Sequence, residues 1–345
     1  MDYIDYVIEE AKKILSIDSP CGYTGEVIRY LKETYESMSY ETTITNKGGL
    51  LVDFGGKDCD RGILLETHVD TLGGMVSEIL PGGTLRISPL GGLNASNCEA
   101  ENCRVITRFD GEYEGTFQVR NASVHVNGNL NKVERNFDNM EVLLDEKVFS
   151  QEDVRKLGIM EGDIVCMDPR TRYTASGFLK SRFLDDKLSV AIALGVAKYL
   201  HDEKVELPRR TWQHITVYEE VGHGGAASVP EGVTEALSVD MGCVGEGLNC
   251  TEYQVSICAK DSVGPYSYDM VTKLIRIAKE HNIDFAVDVY PHYGSDVDVT
   301  LGAGHDVMHG LIGAGVYASH GYERVHRDGI SAAYELLKQY VLNQH

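Results

Sequence analysis

Apolar residues at Ile4, Val7, Ile8, Ala11, Ile14 and Leu15 recur at helical spacing, so the chain is expected to open on an amphipathic helix. Residues 26–35 repeat the pattern as a second one. GILLE at 62–66 is a continuous apolar run and reads as a buried strand delivering His68. From about residue 72 to 170 the texture changes to short β runs separated by turn signals. Pro81-Gly82-Gly83 divides MVSEIL from TLRISPL, and Asp110-Gly111 divides CRVITRF from EYEGTFQV, both residues of the second turn tolerating positive φ. One short helix interrupts this stretch: Ser150 and Asp153 form a capping-box-like pair before VRKL, and Gly158 ends it. Helices are expected again at 187–201, 268–281 and 329–342, with strands at 211–218 and 236–239.

This order predicts an α/β domain split by a mostly β insertion, with 1–71 and 171–345 forming one domain and 72–170 the other. The insertion leaves just after His68 and Asp70 and returns just before Asp185, so both of its ends fall beside those residues.

Bulk properties narrow the function classes. The 345 residues, 43% hydrophobic and 25% charged, are those of an ordinary globular chain. A formal charge of -21 argues against nucleic acid and against an anionic membrane surface, both of which require basic patches. No run approaches the ~20 apolar residues of a membrane span, and the N-terminus lacks a basic-then-apolar leader. Eight cysteines without a CxxC pair suit free thiols in a reducing cytoplasm.

The chemistry is carried by residues at the ends of apolar runs. They are His68 and Asp70 in ETHVDTLGG, Asp185 in SRFLDDK, Glu219 and Glu220 in TVYEEVGHGG, Asp240 in LSVDMG, and His320 in ASHGYE. In open α/β sheets the carboxyl ends of strands are where ligands bind. Two imidazoles and three carboxylates, from His68, Asp185, Glu220, Asp240 and His320, make a ligand set for two divalent ions in which one carboxylate bridges. The absence of thiolate from the set favours zinc or cobalt, with manganese also compatible. Asp70, two residues beyond His68 on extended chain, is placed to accept the second imidazole N–H. Glu219 and Glu220 would face opposite ways in a regular strand, so the glycine-rich VGHGG that follows must break it. One glutamate then ligates while the other serves as general base.

Taken singly these signals are weak. A His-x-Asp is more often structural, Asp185-Asp186 could simply cap a helix, and a Glu-Glu pair is usually a solvated face. Their joint order is the argument. His223 and His292 are candidates for lining the site, and Gly302-Ala303-Gly304 and Gly313-Ala314-Gly315 for tight turns or close packing. No P-loop, dinucleotide fingerprint or GxSxG elbow is present. A glycosidase using two carboxylates needs no metal and fits poorly. A deacylase or dipeptidase would keep the same site, and a non-catalytic shell protein would have no use for a free glutamate.

THVDTLGGMV, GDIVCMDP with SRFLDDK, YEEVGHGGA, SVDMG and SHGYE together resemble the tetrahedral aminopeptidases of glutamyl, leucyl and lysyl type, relatives of which are often labelled endoglucanases. The likeness spans nearly the whole chain. It implies a mixed sheet sandwiched by helices, as in zinc exopeptidases, and cleavage of N-terminal residues from peptides. It also implies Asp185 as the bridge, Glu220 and His320 completing one metal site, His68 and Asp240 the other, Glu219 as base and Asp70 orienting His68. A homo-oligomer built from dimers through the inserted domain, up to a dodecamer, is implied as well. YPHYGSDVD and GLIGAGVYASHGYE depart from the family's usual wording, so the resemblance does not carry a side-chain preference.

Overall fold

Four strands run parallel at the centre of the molecule, and their carboxyl ends meet along one edge. In the computed structural model, which describes residues 2–109 and 111–343, Asp58–His68 pairs in parallel with Arg209–Thr216 on one side and Val233–Val239 on the other. Val233–Val239 pairs in turn with Met308–Tyr317. The register sets Thr216 opposite His68 and Val239 opposite Ile312. Antiparallel strands extend this core on both flanks, among them Leu50–Gly55, Glu323–His326 and Phe178–Ser181, giving a mixed sheet of 12 strands.

The central strands are apolar without alternation: Ile63, Leu64, Leu65, Ala236, Leu237, Leu311 and Ile312 are all buried, as expected where helices cover a parallel sheet. Helix Leu184–Asp202 packs on three of these strands and is apolar nearly all round, which marks a helix enclosed by protein. Helices Tyr3–Leu15 and Arg327–Leu342 pack against it. The first of these has its buried stripe at the positions the spacing predicts, capped by the Asp2 carboxylate accepting from Ile4 N–H.

Between Gly73 and Met167 six strands close into a barrel, its interior filled by Val76, Ile87, Val105, Phe117, Met140, Val142 and Val165. The turn at Gly83, with φ of 87°, joins the antiparallel strands Gly73–Ile79 and Leu85–Leu90. Asp110 of the other expected turn lies outside the described residues, and the strands on either side of it, Glu101–Ile106 and Glu112–Val119, pair antiparallel. Helix Gln151–Lys156 is capped by Ser150 Oγ accepting from Asp153 N–H. Two ion pairs tie the barrel to the rest of the chain: Arg182 to Glu101 at 2.5 Å, buried, and Arg104 to Asp18 at 2.6 Å.

Glycines 313 and 315 lie inside the strand Met308–Tyr317 and serve close packing. A Cβ on Gly313 would fall 1.8 Å from the Asp240 carbonyl oxygen. Among the described residues no helix is long and apolar enough to cross a membrane, and all eight cysteines are free.

Candidate active site

The edge where the four parallel strands end gathers all seven residues singled out from the sequence. His68 is the last residue of its strand and is buried. Its Nδ1 lies 3.0 Å from the Asp70 carbonyl oxygen and 3.6 Å from the Asp70 carboxylate, so the main-chain oxygen is the nearer acceptor. Nε2 lies 3.1 Å from Asp185 Oδ1 and 3.6 Å from Glu219 Oε2.

The Asp70 carboxylate is engaged differently from the sequence expectation. Its two oxygens accept the backbone N–H groups of Glu219 (3.2 Å) and Glu220 (3.3 Å), and the Cys21 thiol donates to it at 2.7 Å. The strand before these glutamates stops at Thr216, and Glu219–Val221 forms a single 3-10 turn closed by Gly222 at φ 79°. That left-handed residue is where glycine's freedom is required. The turn is the irregularity that lets adjacent glutamates reach one cavity.

Asp185 arrives from the other side of the edge. It precedes the regular part of its helix, which begins at Lys187 because Asp185 and Asp186 have non-helical backbone angles. Asp240 directly follows its strand, its backbone N–H bonded to the Ile312 carbonyl. His320, at φ 60°, places Nε2 3.5 Å from Glu220 and 3.6 Å from Asp185. Two groups of ligand atoms result, each within 4.8 Å: His68 with Asp185 and Asp240, and Asp185 with Glu220 and His320. Asp185 is common to both.

The charge pattern fits metal cations. Burial, followed by the charges of Asp240, Asp296 and Glu220, pushes Glu219 well above the usual carboxylate range. Burial and then Asp185 do the same to Glu220, and raise Asp240 to about 7. Asp185 is the exception: burial opposes its ionisation, but the His68 hydrogen bond and charge hold its carboxyl below the usual value. Burial alone would lower His68, yet Glu219, Asp185 and Asp240 together drive it well above an ordinary imidazole. Crowded, dehydrated carboxylates with imidazoles between them are the environment that divalent ions relieve.

Three supporting residues were not found by sequence reasoning. Glu323, buried, accepts the backbone N–H of His320 on one oxygen and that of Asp185 on the other, both at 3.1 Å, so one carboxylate clamps two segments. Asp186 accepts the His68 backbone N–H at 3.2 Å. Asp296 accepts from Gly225 N–H at 2.6 Å and Thr216 Oγ1–H at 2.5 Å, pinning the far end of the glutamate loop. Glu323 stands inside SHGYE and Asp186 beside Asp185, which is the only hint the sequence offers. Of the two histidines considered for the lining, His292 lines the cavity, whereas His223 stacks on Tyr218 at 4.9 Å.

The cavity over these groups measures about 560 Å³, within the usual size range of small-molecule sites. A catalytic edge of this kind, on a mixed sheet carrying an inserted barrel, defines a hydrolase of the aminopeptidase class. The M42 glutamyl aminopeptidase family matches residues 48–336. YhfE of Bacillus subtilis (strain 168), named among the aminopeptidases, is 43% identical over 341 residues, which is 99% of each chain. The aminopeptidase APDkam598 of the archaeon Desulfurococcus kamchatkensis shares the fold at TM-score 0.88 and 22% identity, over 99% of this chain and 96% of that one. The TET1 peptidase of Pyrococcus horikoshii shares it at TM-score 0.84 and 21% identity, over 98% and 99%. This chain belongs to the M42 glutamyl aminopeptidase family.

Proposed function

We propose that the enzyme cleaves single residues from peptide N-termini at a centre of two divalent ions, held by His68, Asp185 and Asp240 and by Asp185, Glu220 and His320. The observation carrying this reading is the pair of ligand groups sharing one carboxylate. Bound there, two such ions would polarise the scissile carbonyl and make water more acidic. Glu219 belongs to neither ligand group and lines the cavity, so it is free to take a proton from the attacking water and return it to the leaving amine. Asp70 acts through the backbone of residues 219–220, and its carbonyl keeps His68 in the tautomer that presents Nε2. Zinc or cobalt suits this donor set best, with manganese third.

We infer the division into 1–71, 72–170 and 171–345, which the barrel strands lying between Gly73 and Met167 support. Phe109, Val124, Val126 and Phe149 are exposed apolar side chains of that barrel region, which supports assembly through it. The Pyrococcus horikoshii relative assembles into a tetrahedron or a large octahedral shell, and we infer a homo-oligomer for this chain also, up to a dodecamer. We infer a cytoplasmic location, which the eight free cysteines support.

The test is a panel of chromogenic aminoacyl substrates, with free or acetylated amines, assayed after metal stripping and after reloading with zinc, cobalt or manganese. Hydrolysis confined to free amines, lost on stripping and restored by an ion, is expected. Cleavage of the acetylated substrates at equal rates would show that no free amine is required and would overturn the aminopeptidase reading, as would β-glucan hydrolysis unaffected by chelation.

A further inference from the structure

Part of the cavity wall is built from two loops that hold none of the candidate ligands. Residues 261–265 and 291–295 are stitched together: Ser262 N–H donates to the Tyr293 carbonyl at 3.0 Å, and Tyr293 N–H to Ser262 Oγ at 2.8 Å. Buried Tyr266 donates to Asp261 at 2.7 Å and lies 3.1 Å from Ser295 Oγ. Such a wall is held rigidly enough to discriminate between ligands. Val263 lines the cavity from the first loop, and Asp298 and Val299 line it from the helix Asp296–Gly302 that follows the second.

The charge balance singles out Asp298. Five acidic side chains line the cavity: Asp185, Glu219, Glu220, Asp240 and Asp298. Two divalent ions carry four positive charges, which offset the first four carboxylates and leave Asp298 uncompensated. No Lys or Arg lines the cavity among the described residues. Lys47, the cation near the glutamate loop, is already bonded to the carbonyls of His223 and Gly224. A glutamyl or aspartyl side chain entering here would therefore meet a carboxylate and no cation.

Resting on the aminopeptidase reading above, we propose that Asp298 is the specificity-determining residue and that it selects N-terminal residues with a cationic side chain, lysyl or arginyl, against acidic ones. Val263 and Val299 offer aliphatic surface for the methylene stem, while Asp298 receives the ammonium or guanidinium head. Burial and then the neighbouring Asp261 carboxyl push Asp298 up to about 7, a condition that an arriving cation relieves. Asp298 also caps its own helix, accepting Ser295 N–H at 3.1 Å on one oxygen. The carboxyl also shares side-chain hydrogen bonds with Asp261 and Tyr266, and an asparagine can keep the bond to Ser295.

The experiment compares kcat/KM on lysyl, arginyl, leucyl and glutamyl substrates for the metal-loaded enzyme and for Asp298→Asn. The wild type is expected to favour lysyl and arginyl over glutamyl. Asp298→Asn should lose roughly ten- to a hundredfold on the cationic substrates while leucyl turnover stays within about threefold. The thermal shift given by free L-lysine should shrink in the variant, and that given by L-leucine should not. Asp298→Lys should reverse the order toward glutamyl. An equal loss on all four substrates would mean that Asp298 holds the α-amine or only the helix cap, and would overturn the assignment, as would a wild type that prefers glutamyl. If no aminoacyl substrate were cleaved at all, the aminopeptidase reading would fail instead.

Discussion

Asp70 Oδ1 accepts the backbone N–H of Glu219 at 3.2 Å, joining residues 149 apart in the chain. The second oxygen takes Glu220 N–H, so one buried carboxylate sets the height of both glutamates above the sheet edge. Asp70→Asn replaces one acceptor with an N–H donor facing another N–H. The expected outcome is a ten- to hundredfold fall in kcat/KM, in the range typical of residues that orient a metal site. An unchanged kcat/KM would show that the turn holds itself.

Glu219→Gln should keep both ions, because Glu219 is in neither ligand group. Its kcat should fall by roughly a hundred- to ten-thousandfold. Elemental analysis alongside steady-state kinetics checks both halves. A loss of metal in this variant would make Glu219 a ligand.

His320 belongs to one ligand group only and is the most exposed of the five candidate ligands, its side chain 42% accessible. His320→Ala should therefore lose about one ion per chain and leave the fold intact. Two ions retained after gel filtration would remove His320 from the set.

Gly313 lies against the Asp240 backbone, where an added Cβ would sit 1.8 Å from the carbonyl oxygen. Gly313→Ala should destabilise by about 3 kcal/mol, because neither backbone can retreat inside the sheet. Gly302→Ala, with open space around its Cβ position, is the control and should change stability little. Urea unfolding of the two variants decides it. Equal midpoints would mean that the sheet yields.

Glu235 is buried and receives Arg209 at 2.6 Å, Tyr340 Oη–H at 2.7 Å and Lys273 at 3.0 Å. Burial opposes its ionisation, but the Tyr340 bond and the two cations win, so its pKa is lowered from 4.5. A depressed carboxylate stabilises the fold fully above its unfolded value and loses that contribution as pH falls through the folded one. Glu235→Gln should cost about 3 kcal/mol near pH 7, because it leaves Arg209 buried without its charge partner. The gap in melting temperature between variant and wild type should close as pH falls below about 4.5. A gap independent of pH would show that packing, and not charge, is what the substitution removes.

The helices at 3–15, 268–280 and 327–342 were legible because each carries a one-sided apolar stripe. The helix from Leu184 was legible only from Lys187 onward, since Asp185 and Asp186 leave the helical geometry, the first to line the cavity and the second to accept the His68 backbone N–H. The strand Met308–Tyr317 was hidden by its glycines, which look like turn residues until Asp240 and Thr251 are seen pressed against them. The nearest acceptor for His68 Nδ1 was also illegible, because carbonyl and carboxylate of the same Asp70 are equivalent in a sequence and differ by 0.6 Å of placement (3.6 against 3.0 Å).

By itself the sequence determined the architecture class and the seven residues at the catalytic edge, since a polar ligand closing an apolar run is a local pattern. Tertiary structure alone decided the distances at which the two ligand groups meet on Asp185, that Glu323 clamps His320 to Asp185, and that Asp298 lines the cavity. Those relationships join positions far apart in the chain, Asp185 and Glu323 by 138 residues. They depend on strand register and loop closure, which set distances that no local periodicity encodes.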